Sequence, residues 1–292
     1  MNGIIIVNKP KGCTSHDIVY KIKKIFNEKV GHTGTLDPMA EGVLPILVGK
    51  GTLLSKYLIN HDKKYIVKLQ LGIKTDTADS EGNIIEENQV NEKLLSKENI
   101  IKVLKSFIGK QEQIPPIYSA IKVNGKKLYE YARRGQNVEI KPRQIEIYDV
   151  NLISYSVEEK QIKFEVFCGK GTYIRSLCED IAKKFDTVGY MKELKRIQVG
   201  DFKIDDSISI EELEKNINDE GFINSRIISI ENLFCKNDSI KLEDKKLRMF
   251  LNGVKLTQNL KDGIYKIYDT NNEFIGIGIA QNNSIKRDII VN

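Results

Sequence analysis

Apolar positions change period several times along the 292-residue chain, and each period predicts an element. Gly3 to Asn8 is a short β-branched run and predicts a buried strand. Ile18, Ile22, Ile25 and Phe26 recur at helical spacing behind Thr14 and Ser15, either of which can cap a helix. The stretch VGHTGTLDPMAEGVLPILVGKG, Val30 to Gly51, is punctuated by Gly31, Gly34, Gly42 and Gly49 and by Pro38 and Pro45. It predicts loop, then a short apolar strand over Val43–Val48. Tyr65, Val67, Leu69 and Leu71 alternate and predict a strand from Lys64 to Leu71. Ser96 caps a predicted helix carrying Ile100, Ile101, Leu104, Phe107 and Ile108.

Further along, Gln113 to Leu128 combines a Pro-Pro bend with an Asn-Gly turn between strand-forming residues. Tyr129–Arg134 predicts helix, and Gln144–Tyr155 and Gln161–Cys168 predict strands. A helix from about Tyr173 to Phe185 carries Ile174, Leu177, Cys178, Ile181 and Ala182 and follows the glycine turn Gly169-Lys170-Gly171-Thr172. The texture changes beyond Ile204. Ser209–Ile217 predicts a polar helix, Asp219-Glu220-Gly221 a hinge-like spacer, and Leu242–Val291 one helix with short strands such as Ile264–Tyr268 and Phe274–Ala280. A boundary within 210–235 is expected, separating a domain over 1–210 from a smaller one over 225–292.

Hydrophobic residues at 40% and charged residues at 29% are ordinary for a globular chain and exclude collagen-like, fibrous and wholly disordered classes. No run of apolar residues is long enough to span a membrane. The opening Met1–Pro10 has no basic region and breaks at Pro10, so it is expected to be strand and not a signal peptide. Cys13, Cys168, Cys178 and Cys235 are scattered, which fits reduced thiols in a cytoplasmic protein. The three histidines form no metal-ligand pair. The net charge of +6 is concentrated: Lys9 to Lys74 holds 12 lysines, no arginine and five acidic residues. Such a basic region suits a polyanion such as nucleic acid, or equally a solubilising lysine surface.

Chemistry narrows the reading. The tetrapeptide GKGT occurs at Gly49–Thr52 and Gly169–Thr172, but neither copy has the upstream glycine of a phosphate-binding loop. There is no nucleophile elbow. Asp76–Gly82 resembles a calcium loop superficially, but Ala78 stands where an oxygen is needed and the distal Glu is missing. The unusual stretch is Gly31–Gly42, which displays Asp37 on a glycine-bounded loop with Pro38 holding it away from helical dihedrals. A carboxylate so placed suits a nucleophile or general base, or else an ordinary turn in which Asp37 bonds its own backbone. Tyr173 and Arg175 in GKGTYIRSL share a face only if that piece is extended. An arginine is the natural partner of a buried catalytic carboxylate, and the alternative is a surface arginine at a helix start beside a core tyrosine.

The blocks GHTGTLDPMAEGVLPILVG, Val7–Gly12 with Thr14-Ser15, Lys63-Lys64-Tyr65, Gly72–Thr77 with Asp79 and Gly82, QIPPIYSAIKVNGKKLYEYARRG and GKGTYIRSL lie in order across residues 3–200. Together they resemble the TruB family of tRNA pseudouridine synthases. The resemblance implies an isomerase that converts a uridine of the tRNA T-loop, position 55, to pseudouridine with base flipping and without cofactor or metal. It implies a mixed α/β (α+β) pseudouridine-synthase catalytic domain on a twisted, largely antiparallel sheet, with a small β-rich, PUA-like RNA-binding domain after it. At the matching positions Asp37 is the catalytic carboxylate. Tyr65 stacks on the target uracil and helps to remove a proton, Arg175 pairs with Asp37, and Tyr173 shapes the pocket. His32 stacks where the flipped nucleotide leaves the T-loop, Leu194 is an apolar wall, and Lys9 and Lys64 contact phosphate or pocket. Glu41 is expected to point outward. The implied partner is the T-arm of tRNA, bound by a cytoplasmic monomer with no membrane contact and no obligate protein partner. Alternative readings are a guide-RNA-dependent synthase of the dyskerin branch, and a non-catalytic RNA-binding or tRNA-folding module.

Overall fold

The structure, a computed structural model, describes residues 1–291. Strand β1 (Gly3–Lys9) is buried along almost its whole length. Ile4 and Ile6 enter one core while Ile5 and Val7 enter another, so both faces are apolar and no alternation is visible in sequence. Helix α1 (Ser15–Phe26) starts at a capping box: the Asp17 amide donates to the Thr14 hydroxyl, and the Asp17 carboxylate accepts from the Thr14 amide at 2.8 Å. Its Ile18 and Ile22 pack under β1.

Strand β2 (Val30–His32) leads into the glycine-rich loop, which ends at β3 (Glu41–Val48). Strand β3 begins earlier than the apolar run suggests. Gly42, at φ +110°, lies so close to Arg196 that a Cβ there would sit 2.1 Å from the Arg196 carbonyl oxygen, so only glycine lets the two backbones pair. Strand β4 (Lys63–Leu71), helix α2 (Lys97–Lys105, capped by Ser96) and strand β5 (Gly109–Gln113) follow. The Asn-Gly turn is present in a short hairpin over Lys122–Lys127, with Asn124 and Gly125 both at positive φ. Strands β6 (Arg143–Ser156) and β7 (Gln161–Cys168), helix α3 (Ile174–Lys183) and strand β8 (Gly189–Val199) complete the main body.

These strands form one ten-stranded sheet whose main path runs β1, β3, β8, β4, β7, β6, β5, with Ile227–Ile228 added outside β1. Every pairing on this path is antiparallel except β8 with β3, which are parallel at Lys195↔Glu41 and Arg196↔Gly42. The largest core lies between α2, α3 and the sheet and holds Val67, Leu69, Phe164 and Val166 from its centre.

Helix α4 (Ile210–Lys215) follows the sheet. The expected spacer at Asp219–Gly221 is instead the start of helix α5 (Glu220–Arg226). The Asp219 carboxylate accepts from the Phe222 amide at 2.9 Å, and Ile223 turns into the core, so a cap and one buried anchor outweigh the glycine. A second sheet holds β9 (Ser239–Lys241), β10 (Leu256–Thr257), β11 (Gly263–Tyr268), β12 (Phe274–Gln281) and β13 (Ser284–Ile290) in the order β9, β11, β12, β13, β10, with helix α6 (Asp244–Leu251) against it. Ile277 and Ile289 from this sheet pack with Ile4, Ile6, Leu54 and Leu58 of the main body. Among the described residues no helix is long and apolar enough to cross a membrane.

Candidate active site

The loop between β2 and β3 carries Asp37, and its backbone is tied down on both sides of that residue. The Ser15 hydroxyl, at the first residue of α1, accepts from the Leu36 amide at 2.9 Å and donates to the Leu36 carbonyl at 3.2 Å. The Pro38 carbonyl accepts from the Gly12 amide and from Lys9 Nζ. Asp37 therefore hangs between two fixed neighbours, which is what pre-organises a reacting group.

Arg175, on the first turn of α3, meets Asp37 side-on. Its Nε lies 3.0 Å from Oδ2 and its Nη2 donates to Oδ1 at 3.1 Å. The guanidinium also donates to the carbonyls of Thr77 and Tyr118 and lies 3.7 Å from Asp79 Oδ2. The arginine side chain is 6% exposed, whereas Asp37 keeps 31% of its side chain open, so the pair presents the carboxylate and hides the cation. Burial pushes the Asp37 carboxyl above its ordinary value; Arg175 opposes this and Asp79 adds to it. Asp79 is fixed in turn by the Thr77 hydroxyl and the Glu81 amide.

A cleft of about 640 Å³ opens beside Asp37, with His32, Tyr65, Tyr173, Arg175, Leu194 and Arg196 in its walls. Tyr65 lies on the buried face of β4, and burial raises its phenol to about 12, against the pull of Arg196. Tyr173 is the residue before α3. Its amide donates to Gln113 Oε1 at 2.9 Å and its carbonyl accepts from Gln113 Nε2 at 3.0 Å, so an extended residue and a helical one share the wall. Burial raises the Tyr173 phenol. His32 ends β2, and burial, with Arg196 nearby, lowers its pKa and favours the neutral ring. Leu194 sits opposite Val67 on β8.

Two expected residues fall elsewhere. Lys9 is 0% exposed, and its Nζ is taken by the carbonyls of Pro10, Cys13 and Pro38, so it braces the loop from within and lies outside the cleft lining. Lys64 points to the opposite face of β4 from Tyr65, where it pairs with Glu165 at 3.3 Å, because consecutive strand residues alternate sides. Lys63 lines the cleft instead. Glu41 faces Lys195 at 3.7 Å, partly exposed and outside the cleft lining.

Two further residues belong to the site without a role assigned from sequence. Asp79 is part of a family-like block, but nothing local marks it as the second carboxylate beside Arg175. Arg196 lies on β8, a strand whose period-2 signal is broken by register shifts between Met191 and Glu193 and between Arg196 and Gln198. Among the described residues no cluster of His, Cys, Asp or Glu is arranged to hold a metal ion.

Comparison with known proteins gives a consistent set of matches. A model described as TruB family pseudouridylate synthase, N-terminal domain, matches residues 23–174. A tRNA pseudouridylate synthase B C-terminal domain model matches 175–234, and a pseudouridine synthase II TruB C-terminal model matches 239–287. The tRNA pseudouridine synthase B of Clostridium kluyveri is 43% identical over 293 residues, covering 98% of this chain and 98% of that relative. The protein of that name from Caldanaerobacter subterraneus is 42% identical over 289 residues, with the same coverage of both. A solved chain in a Cbf5–Nop10–Gar1 complex is 26% identical, with a TM-score of 0.68 over 96% of this chain and 78% of that one. A chain of an H/ACA RNP bound to a substrate RNA containing 2′-deoxyuridine shares the fold at 23% identity and a TM-score of 0.71, covering 99% of this chain and 85% of that one.

Proposed function

The chain belongs to the TruB family of pseudouridylate synthases, and from that premise we propose that it isomerises a uridine of the tRNA T-loop, at position 55, with Asp37 as the reacting carboxylate. It is an isomerase acting on tRNA uridine. The observation that carries the assignment within the cleft is the side-on pair of Asp37 and Arg175, whose carboxylate alone stays open. The reaction breaks the bond from ribose C1′ to uracil N1 and forms one from C1′ to C5. The proton lost at C5 balances the proton gained at N1. Nothing is oxidised or reduced, so a carboxylate and a proton acceptor suffice.

The Asp37 carboxylate acts at the ribose or the base, and Arg175 holds it ionised and aimed. A uridine inside a folded T-loop has to leave its stack to reach Asp37. The Tyr65 ring receives the uracil face, Tyr173 and Leu194 close the pocket around it, and His32, as a neutral ring, stacks at the vacancy left in the RNA. A phenol raised to about 12 is protonated at neutral pH, so stacking is the first role of Tyr65, and it accepts a proton only after losing its own. The second sheet adds contact area for tRNA as part of the smaller domain expected over 225–292. The enzyme acts as a cytoplasmic monomer whose four thiols stay reduced.

The guide-dependent alternative has weaker support, since the chain in the Cbf5–Nop10–Gar1 complex is 26% identical against 42–43% for the tRNA enzymes. Incubation with an unmodified tRNA transcript, then mapping of pseudouridine, tests the proposal. A single modified T-loop position made without guide RNA supports it, and modification only with an added guide overturns it.

A further inference from the structure

Arg196 is the largest fully buried side chain of the protein. Its Nε donates to the Val43 carbonyl at 2.7 Å and its Nη2 to the Gly34 carbonyl at 2.9 Å. Arg196 and Tyr65 are register partners across β8 and β4, and the guanidinium charge acts on the Tyr65 phenol. No carboxylate lies within ion-pair distance of it among the described residues; Asp37 reaches it only through longer-range attraction. A buried cation held by neutral acceptors is costly, and an apolar side chain of similar volume would pack there more cheaply. What an apolar residue could not do is join three separate elements. Gly34 lies three positions before Asp37 in the loop, Val43 lies on β3 beyond it, and Tyr65 is the ring opposite. Lys9 fixes the far side of the same loop at Pro38, so Arg196 is the near-side counterpart. The charge also reaches the cleft: it acts against a proton on His32 and on Lys63 and attracts Asp37.

Resting on the reading above, we propose that Arg196 is a positioning residue for the isomerisation, its buried guanidinium tying the Asp37 loop to the Tyr65 strand so that carboxylate and stacking ring address the same base. Arg196 is 1% exposed at the base of the cleft, with Nε and Nη2 taken by the Val43 and Gly34 carbonyls, so its loss should appear in turnover more than in affinity.

The test uses the full chain with Arg196→Met, which keeps volume and removes the charge, and Arg196→Lys, which keeps the charge but cannot span two carbonyls with a planar fork. At pH 7.5 single-turnover rates on an unmodified T-arm transcript should fall by about 100-fold in the Met protein and about 10-fold in the Lys protein, with tRNA affinity within about twofold of the unaltered protein. The acid limb of the rate profile should move to higher pH in the Met protein and stay in place in the Lys protein, because only the former removes a cation that attracts the Asp37 carboxylate. Guanidinium ion at tens of millimolar should restore part of the rate to Arg196→Ala. A folded Lys or Met protein with an unaltered rate overturns the proposal. So does a loss of rate, affinity and melting temperature together in both variants, which marks a purely structural arginine. Failure of the unaltered protein to form pseudouridine at all would instead overturn the functional reading.

Discussion

Asp37 is under two opposed influences, and their balance is measurable. Burial raises its carboxyl and Arg175 lowers it. In the proposed mechanism the ionised form reacts, so the rate should fall as pH drops through the folded-state pKa, which lies above the unfolded 3.8. Linkage has the same sign: a raised carboxyl is disfavoured as an anion in the fold, so it costs stability above its pKa and the cost is relieved as pH falls. Removing the opposing cation with Arg175→Gln should move the acid limb of the rate profile further up. A limb that stays in place in a folded Arg175→Gln protein would mean the pair does not control Asp37. Asp37→Asn should abolish turnover while sparing tRNA affinity, which phosphates dominate. Retention of a tenth of the rate, roughly 1.4 kcal/mol of barrier, would sink the assignment. Tyr65 separates two roles. Phe should keep affinity, since stacking is worth roughly 1–3 kcal/mol and the ring is retained. It should lower turnover by about two to four decades only if the hydroxyl moves a proton. Leu should lose affinity as well, and unaltered turnover in both variants would remove Tyr65 from the site.

At the scale of elements, the site depends on how firmly α1 and β8 hold the loop between β2 and β3. Ser15 makes two bonds to Leu36, so Ser15→Ala leaves a buried amide without its partner and should cost about 1–3 kcal/mol, read as a lower melting temperature. The rate should fall with unaltered tRNA affinity, because Asp37 loses its fixed neighbour; a rate that follows only the folded fraction would show that Pro38 alone holds the loop. The same elements show what could be read from the chain. The helix behind Thr14 and the strand at Tyr65–Leu71 were legible because one buried face leaves a clean period of 3.6 or 2. The stretch Gly189–Val199 was not, because two register shifts reset its alternation and place the buried positions at Met191, Leu194, Arg196 and Val199. Arg196 was hidden with it, since a basic residue in KELKR looks like solvated surface until the strand is seen. Asp37 and Arg175 stood out locally with two readings each, and only the resemblance chose between them and added Tyr65, because composition says nothing of a loop touching a helix 138 positions away. The places of Lys9 and Lys64 were not legible for local reasons, one being satisfied by carbonyls and the other lying on the far side of its strand from Tyr65.

For the whole molecule, the question is whether the second sheet is separable. The charge pattern places its basic excess in the first quarter of the chain, and every cleft residue precedes Val199. By that measure the tail should be dispensable for chemistry. Its attachment is nonetheless apolar: Ile277 and Ile289 cover Ile4, Ile6, Leu54 and Leu58, and Asp288 bonds both Lys56 and Tyr57. The segment before it is more deeply built in. Ile227–Ile228 adds a strand to β1 at Ile4 and Ile5, and Ile230 and Phe234 fill the core beneath. Where the chain is cut therefore decides the outcome. Deletion from residue 239 should leave a folded protein that melts several degrees lower, for a loss on the order of 1–2 kcal/mol. That protein should modify a T-arm stem-loop at a rate within about threefold while binding whole tRNA at least tenfold more weakly, since charged contact area is what it has lost. Deletion from residue 225 removes the added strand and its core residues, leaves the edge of β1 unpaired, and should aggregate. Stem-loop rates, tRNA affinity and thermal melts on the two truncations check this. A folded 239 truncation that is inactive on the stem-loop would show that the second sheet shapes the cleft through β1 and β3. A soluble and active 225 truncation would show that those contacts add little to the main body.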